Sequence, residues 1–238
     1  MHNACIVSFF MDNINPKTVS LQSDVVQKFN KSKYPHYTIK TNMRHGASID
    51  YFWCLNGSPV HTMNEANVKQ SINHDIVLIL DIDCIPLNET AIDHFIEVAS
   101  SGNIIGNAQR SGHIENDQHV FAAPSATAIS KTSFEKIGMP SALETAWGDV
   151  LEEYTYAAEK ADISLDLLLP TKYDIPPRRM NWETNQEPFW RLADGMPNYG
   201  IGTTYGSSDV DMFYHNFQIF HPGNQERFWH KCEEVLNG

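Results

Sequence analysis

Residues 76–83 read Ile76-Val77-Leu78-Ile79-Leu80-Asp81-Ile82-Asp83, and the rest of the chain is best read outward from them. Five apolar residues in succession suit a strand buried on both faces. Side chains alternate along a strand, so Asp81 and Asp83 are expected to point one way and Ile82 the other. Ligands of open α/β sheets collect beyond the carboxyl ends of the strands, and paired carboxylates there suit a hard divalent cation shared with phosphate oxygens. The expectation is a metal site that serves a phosphate-bearing substrate.

A second triplet, Asp209-Val210-Asp211, has no apolar run before it. It follows Tyr205-Gly206-Ser207-Ser208 and reads as a solvated turn. The first triplet is closed by Pro86, with Asn88 placed to cap the next helix.

Away from that strand, Cys5–Met11 is a short apolar run that suits a first, central strand, followed by a helical segment from about Thr18 to Phe29. Tyr37–Thr41 reads as a second strand and His45–Leu55 as a helix stopped at Asn56-Gly57. Met63–Ile72 is a weaker helical segment, and Asn88–Ser100 carries Ile92, Phe95, Ile96 and Ala99 at helical spacing. Asn103–Ala108 and Val120–Ile129 read as strands, with Phe121–Gly138 passing from strand into a short helix. Trp147–Ala161 reads as an amphipathic helix, with Val150, Tyr154, Ala157 and Ala161 on one face and Asp149, Glu152 and Glu153 on another. Tyr173–Gly202 is rich in Pro, Asn, Gly and aromatic residues, a long loop of the kind that forms lids and binding loops.

Strands followed by helices over roughly the first hundred residues imply right-handed crossovers and a Rossmann-like half. The fold class expected is α/β, in one domain spanning 1–238. Its Rossmann-like nucleotide half runs to about residue 110, and a second half, which the resemblance described below makes the acceptor half, covers 111–238 with the long loop at 173–202.

Composition supports and restricts this reading. At 238 residues, 42% hydrophobic and 19% charged, the chain can bury one sizeable core. A net charge of −12 argues against a nucleic-acid partner, whose backbone calls for clustered Lys and Arg. A nucleoside diphosphate is compatible with that charge if a cation neutralises it. No apolar stretch approaches the roughly 18 residues of a membrane span, and the first apolar run ends by Asp12 without a basic leader. The expected location is cytoplasmic. Cys5, Cys54, Cys84 and Cys232 show no CxxC spacing and read as reduced thiols.

The order of these elements resembles a GT-A glycosyltransferase: a nucleotide half, a strand ending in Asp81-Ile82-Asp83, the strand-to-helix segment 125–138, the acidic Trp147–Glu153, and a late histidine strand. The resemblance covers Cys5 to Cys232 and implies a mixed, mainly parallel sheet flanked by helices. It implies that Asp83 ligates a divalent metal directly, with Asp81 near the ribose or a metal-bound water. Manganese is the first choice and magnesium the second. A late histidine often completes such a site, and His215 in 212–218 is preferred to His221, which precedes Pro222-Gly223 and looks like turn punctuation.

The same resemblance places Asp149 where inverting members keep their catalytic base, with Glu152 and Glu153 as alternates. A carboxylate there can take the proton of an acceptor hydroxyl; in a retaining enzyme it would orient the acceptor, and an Asp at a helix start also serves as a cap. Nucleotide contacts are expected from Ser8, Phe9 and Phe10, from Thr41, Asn42 and Arg44, and from Asp50 and Asp81. Arg178 and Arg179 are candidates to close over the diphosphate, and Trp147, Trp182 and Trp190 to stack on sugars.

The expected activity is metal-dependent transfer of a sugar from a UDP- or GDP-sugar to a hydroxyl of a glycan or other acceptor. Two rivals stand beside it. A haloacid-dehalogenase-like phosphohydrolase also carries an Asp-x-Asp after an apolar strand, although there the motif sits on the first strand of the core. The other is a non-catalytic protein of the same fold that binds carbohydrate or nucleotide.

Overall fold

The apolar run forms a strand, but the strand ends one residue before the first acid. In the computed structural model, which describes residues 2–58, 72–111, 119–175, 201–207, 209–217, 219–220 and 223–238, the chain begins β1 (Ala4–Phe10), α1 (Pro16–Phe29), β2 (His36–Lys40), α2 (His45–Leu55) and β3 (Ile76–Leu80). There follow β4 (Cys84–Pro86), α3 (Ala91–Ser100), β5 (Ile104–Arg110), β6 (Val120–Ser130), α4 (Lys131–Lys136) and α5 (Glu152–Lys160). The last elements are β7 (Leu165–Ile175), β8 (Ile201–Gly206), β9 (Asp211–His215) and α6 (Asn224–Asn237).

The strands join in the order β2-β1-β3-β6-β5-β7-β8-β9-β4. β1 runs parallel to β2 and β3, as the strand–helix alternation requires, and β5 runs parallel to β7. The remaining pairs are antiparallel. The expected α/β architecture, a mixed sheet flanked by helices, is therefore present.

Its core lies on both faces of β3, every residue of which is buried. Ile76, Leu78 and Leu80 pack with Phe95 and Ile96 of α3, while Val77 and Ile79 face Phe52 and Trp53 of α2. Trp53 stacks on Phe134 of α4 at 4.3 Å between ring centroids. A third cluster joins α1 to α6 through Val25, Phe228 and Cys232, and includes Ile82 and Ile85.

Several sequence expectations need correction. Asp81–Asp83 is a turn rather than the end of a strand, closed by the Cys84 N–H donating to the Asp81 carbonyl at 2.9 Å. α3 begins at Ala91, because Asn88 Oδ1 accepts from the Thr90 N–H at 2.8 Å and spends its cap on the preceding turn. The helix expected over 147–161 begins only at Glu152. Leu151 adopts a left-handed φ of 67°, and Glu152 folds its carboxylate back onto the Asp149 N–H at 2.8 Å, which stops the helix from extending towards Trp147.

β7 and β8 take the place of the first and last residues of the expected loop; residues 176–200 lie outside the described residues, as does 63–71 of the expected helix 63–72. β7 leaves little strand pattern in the sequence because Asp166, Pro170, Lys172 and Asp174 interrupt its apolar run. Among the described residues no helix is long and apolar enough to cross a membrane. The four cysteines form no disulfide.

One close approach brings the acidic loop against α2. A Cβ added at Gly46 would lie 2.5 Å from the Ala142 carbonyl oxygen and 2.7 Å from Leu143 Cα, both backbone atoms. Gly→Ala within a helix ordinarily stabilises. Gly46→Ala is expected to do the reverse and lower the unfolding free energy by about 1–3 kcal/mol, as urea denaturation would measure.

Candidate functional site

Three side chains converge beside the turn that follows β3. Asp81, Asp83 and His215 each offer one ligand atom, and these atoms lie within 4.8 Å of one another. His215 Nε2 stands 3.3 Å from Asp83 Oδ1 and 3.7 Å from Asp81 Oδ2. Asp83 and His215 are buried and Asp81 is partly exposed.

Backbone pairing sets this geometry. The turn returns the chain as β4, which runs antiparallel to β9 with Cys84 opposite His215. The Asn216 N–H then donates to the Asp83 carbonyl at 2.9 Å. On the other side, the Asp81 N–H donates to the Ser125 carbonyl of β6 at 3.1 Å. A late histidine is thereby locked against an early acidic turn.

A fourth group joins them. His45, the first residue of α2, places Nε2 3.0 Å from Asp81 Oδ1. In the sequence His45 is visible only as a polar residue opening the helix expected at 45–55, directly after β2. Burial pulls the His45 and His215 imidazoles down, but the neighbouring carboxylates outweigh it: Asp81 and then Asp83 for His45, Asp83 and then Asp81 for His215. Both are held above the usual histidine value. For Asp81, burial pushes upward, and His45 and then His215 overcome it and hold the carboxyl below its usual range. Among the described residues no Lys or Arg pairs with either acid.

The cluster lines a cavity of about 270 Å³. Phe9, Phe10, Ile14, Ile82 and Phe217 give it apolar walls, and Thr41 and Ser48 add hydroxyls. Of the residues expected at the nucleotide, Phe9, Phe10, Thr41 and Asp81 line this cavity.

Four others do not line it. The Ser8 hydroxyl is buried and bonded to His36 and Gln22. Asn42 is exposed, and Arg44 reaches Glu144 at 2.7 Å across the surface. Asp50 is buried and accepts from Ser141 Oγ at 2.6 Å and from the Ala142 N–H at 2.8 Å. Its carboxylate is occupied in fastening the 141–151 loop to α2, and burial raises its pKa.

The acidic trio also separates. Glu152 is fully buried and accepts from Ser111 Oγ at 2.8 Å and from the Asp149 N–H, with His119 Nδ1 at 3.2 Å, so it is occupied as a clamp. Glu153 is exposed, and Asp149 is partly exposed on the loop that packs against α2. Trp147 is 62% exposed beside it. Asp209 and Val210 form the expected exposed turn, while Asp211 opens β9 and pairs with Lys172. His221, Arg178, Arg179, Trp182 and Trp190 lie outside the described residues.

Two carboxylates and one imidazole suit a divalent cation such as manganese, which takes both oxygen and nitrogen donors. The excess of acid over Lys and Arg at the cluster is what such an ion would neutralise.

No protein-family model matches the chain, and no curated protein matches it. Solved structures do. A mutant of Drosophila β1,4-galactosyltransferase 7, in complex with manganese, UDP-Gal and xylobiose, matches with a TM-score of 0.50 at 14% identity, over 96% of this chain and 79% of that one. The catalytic domain of the Drosophila enzyme with xylobiose gives 0.48 at 13% identity, over 96% and 79%. The galactosyltransferase LgtC with donor and acceptor sugar analogues gives 0.45 at 9%, over 98% and 95%. At such identity the likeness is one of fold, and the fold is GT-A.

The raised imidazoles have a consequence for the metal-free chain. A histidine that binds its proton more tightly when folded stabilises below the unfolded value of 6.5, and that contribution is lost as pH rises through the folded value. His45→Gln is therefore expected to cost more stability at about pH 5.5 than at about pH 8, in urea titrations compared with the parent chain. An equal cost at both values would contradict the pairing.

Proposed function

We propose that the chain is a metal-dependent glycosyltransferase that moves a sugar from a UDP- or GDP-sugar to a hydroxyl of a glycan or other acceptor. The observation that carries this reading is the convergence of Asp81, Asp83 and His215 in the lining of a largely apolar cavity in a GT-A fold. That a protein of like fold holds manganese, UDP-Gal and xylobiose supports it.

Asp83 and His215 are the ligands fixed most firmly, since burial and the β4–β9 pairing leave them little freedom. Asp81 completes the set, with one oxygen towards the cluster and the other held by His45. A divalent ion bound there would neutralise the diphosphate oxygens and make the nucleoside diphosphate a better leaving group. Phe9 and Phe10 wall the nucleotide from water, and Thr41 offers it a hydroxyl partner.

Asp149 is the base. It takes the proton of the acceptor hydroxyl as that oxygen bonds to the anomeric carbon and the bond to the diphosphate oxygen breaks. Glu152 serves this step indirectly, by fixing the Asp149 backbone. The phosphohydrolase rival expects its acids on the first strand of the core, whereas here they follow the third in chain order.

Thermal-shift measurement with UDP and GDP tests the reading, since a ligand that binds only the native state raises apparent stability. UDP or GDP is expected to stabilise the chain with Mn2+ and not without it, and Asp83→Asn to abolish the effect. Turnover of the sugar nucleotide, with Asp149→Asn lowering kcat by about 100-fold or more, separates a transferase from a protein that only binds. Hydrolysis of an aryl phosphate that is lost in Asp81→Asn would instead support the phosphohydrolase.

Cation binding also has a sign in pH. His215 must shed its proton to ligate, and that proton is held more tightly than usual. Mn2+ affinity, measured by calorimetry, is expected to rise from about pH 6 to about pH 8.

A further inference from the structure

Gln22 is a polar residue on the buried face of α1, between Thr18 and Val26, and is fully buried. A glutamine there needs a reason, since an apolar residue would pack with less cost. Its amide nitrogen has two protons for three acceptors, the Asp81 carbonyl at 2.8 Å, Ser8 Oγ at 3.0 Å and the Cys84 carbonyl at 3.3 Å, so the longest of these contacts shares a proton with a neighbour. Two of these neighbours are carbonyl oxygens, which only accept, so the NH2 group must face them. The amide oxygen has no hydrogen-bond partner. The side chain is thus held for its donors alone, and both carbonyls it meets belong to the turn that carries Asp81 and Asp83.

The polarity of that contact is set one step further out. Ser8 Oγ accepts from Gln22 at 3.0 Å and lies 3.2 Å from His36 Nε2, to which it donates in the tautomer that carries the ring proton on Nδ1. Burial pulls His36 down to about 4, so its ring is neutral near pH 7 and Nε2 can offer a lone pair. β2, β1 and α1 thereby supply His36, Ser8 and Gln22 as one directed chain of hydrogen bonds ending on the acidic turn. No step of the proposed chemistry uses any of the three.

We infer that Gln22 is a positioning residue for the cation site: its amide holds the carbonyls of Asp81 and Cys84, and so fixes the turn that aims the two carboxylates at His215. The inference rests on the reading of Asp81, Asp83 and His215 as cation ligands. Groups that orient a ligand set without touching the ion commonly govern its affinity by about 10- to 100-fold. Here the backbone carbonyls, rather than the ligand atoms, are what is held.

The test is Mn2+ affinity of the full chain by calorimetry, alongside thermal stability. Gln22→Met keeps the length and apolar fit of the side chain and removes the donors; it is expected to weaken Mn2+ binding about tenfold or more. Phe134→Leu, a packing loss at the Trp53 stack in the cluster on the other face of β3, is expected to lower stability while leaving Mn2+ affinity within about twofold. Equal Mn2+ affinity in Gln22→Met and the parent, or an equal loss in both variants, would overturn the inference. If Gln22→Met does not fold, Ser8→Ala decides: a loss of about threefold or more supports the directed chain, and unchanged affinity overturns it. A parent chain that binds no Mn2+ would sink the cation reading itself, a result distinct from unchanged affinity in the variants.

Discussion

Two carboxylates and an imidazole are made to share a space in which their ligand atoms lie within 4.8 Å of one another. Like charges at such range repel strongly when water is excluded. Without an ion the cluster satisfies itself with protons, which is why His45 and His215 hold theirs tightly. On the proposed reading, an ion would take the place of those protons among Asp81, Asp83 and His215. The structure around them reads as a means of keeping these groups together in spite of their charge.

Each part of the sheet contributes to that end. Parallel pairing of β1 with β2 and β3 brings the carboxyl ends of these strands to one side, where the cavity opens. Antiparallel pairing of β4 with β9 then carries a residue from late in the chain back to the acidic turn. α2 adds His45 at its first residue, and the bare backbone of Gly46 lets the 141–151 loop pack against the same helix end. Glu152 and Asp50 fasten that loop from two sides. Asp149 is consequently carried on a segment tied to the helix that braces Asp81.

The first hundred residues were legible because their signals are local. A continuous apolar run and the helical stripe at 45–55 translate directly into β3 and α2. Asp81, Asp83 and His215 were legible as residue types in the right order. The way they meet was not, because a turn and a strand pair replace the alternation expected of a strand. β4 is too short to leave a pattern, and β7 is half-exposed with charges throughout. Asp50 and Glu152 look like surface acids in the sequence; only folding shows them buried and spent on hydroxyls and backbone amides. Gln22 had one visible signal, a polar residue at a position whose helical neighbours Thr18, Val25 and Val26 turn inward.

The central claim is that Asp81, Asp83 and His215 bind one cation together, through oxygen and nitrogen at once. Pulsed electron paramagnetic resonance of the chain with Mn2+ reads this directly, because a ligating imidazole imprints nitrogen hyperfine coupling on the metal signal. The account requires a nitrogen coupling in the parent chain that disappears in His215→Gln. A spectrum with no protein nitrogen, or one unchanged by His215→Gln, would contradict it.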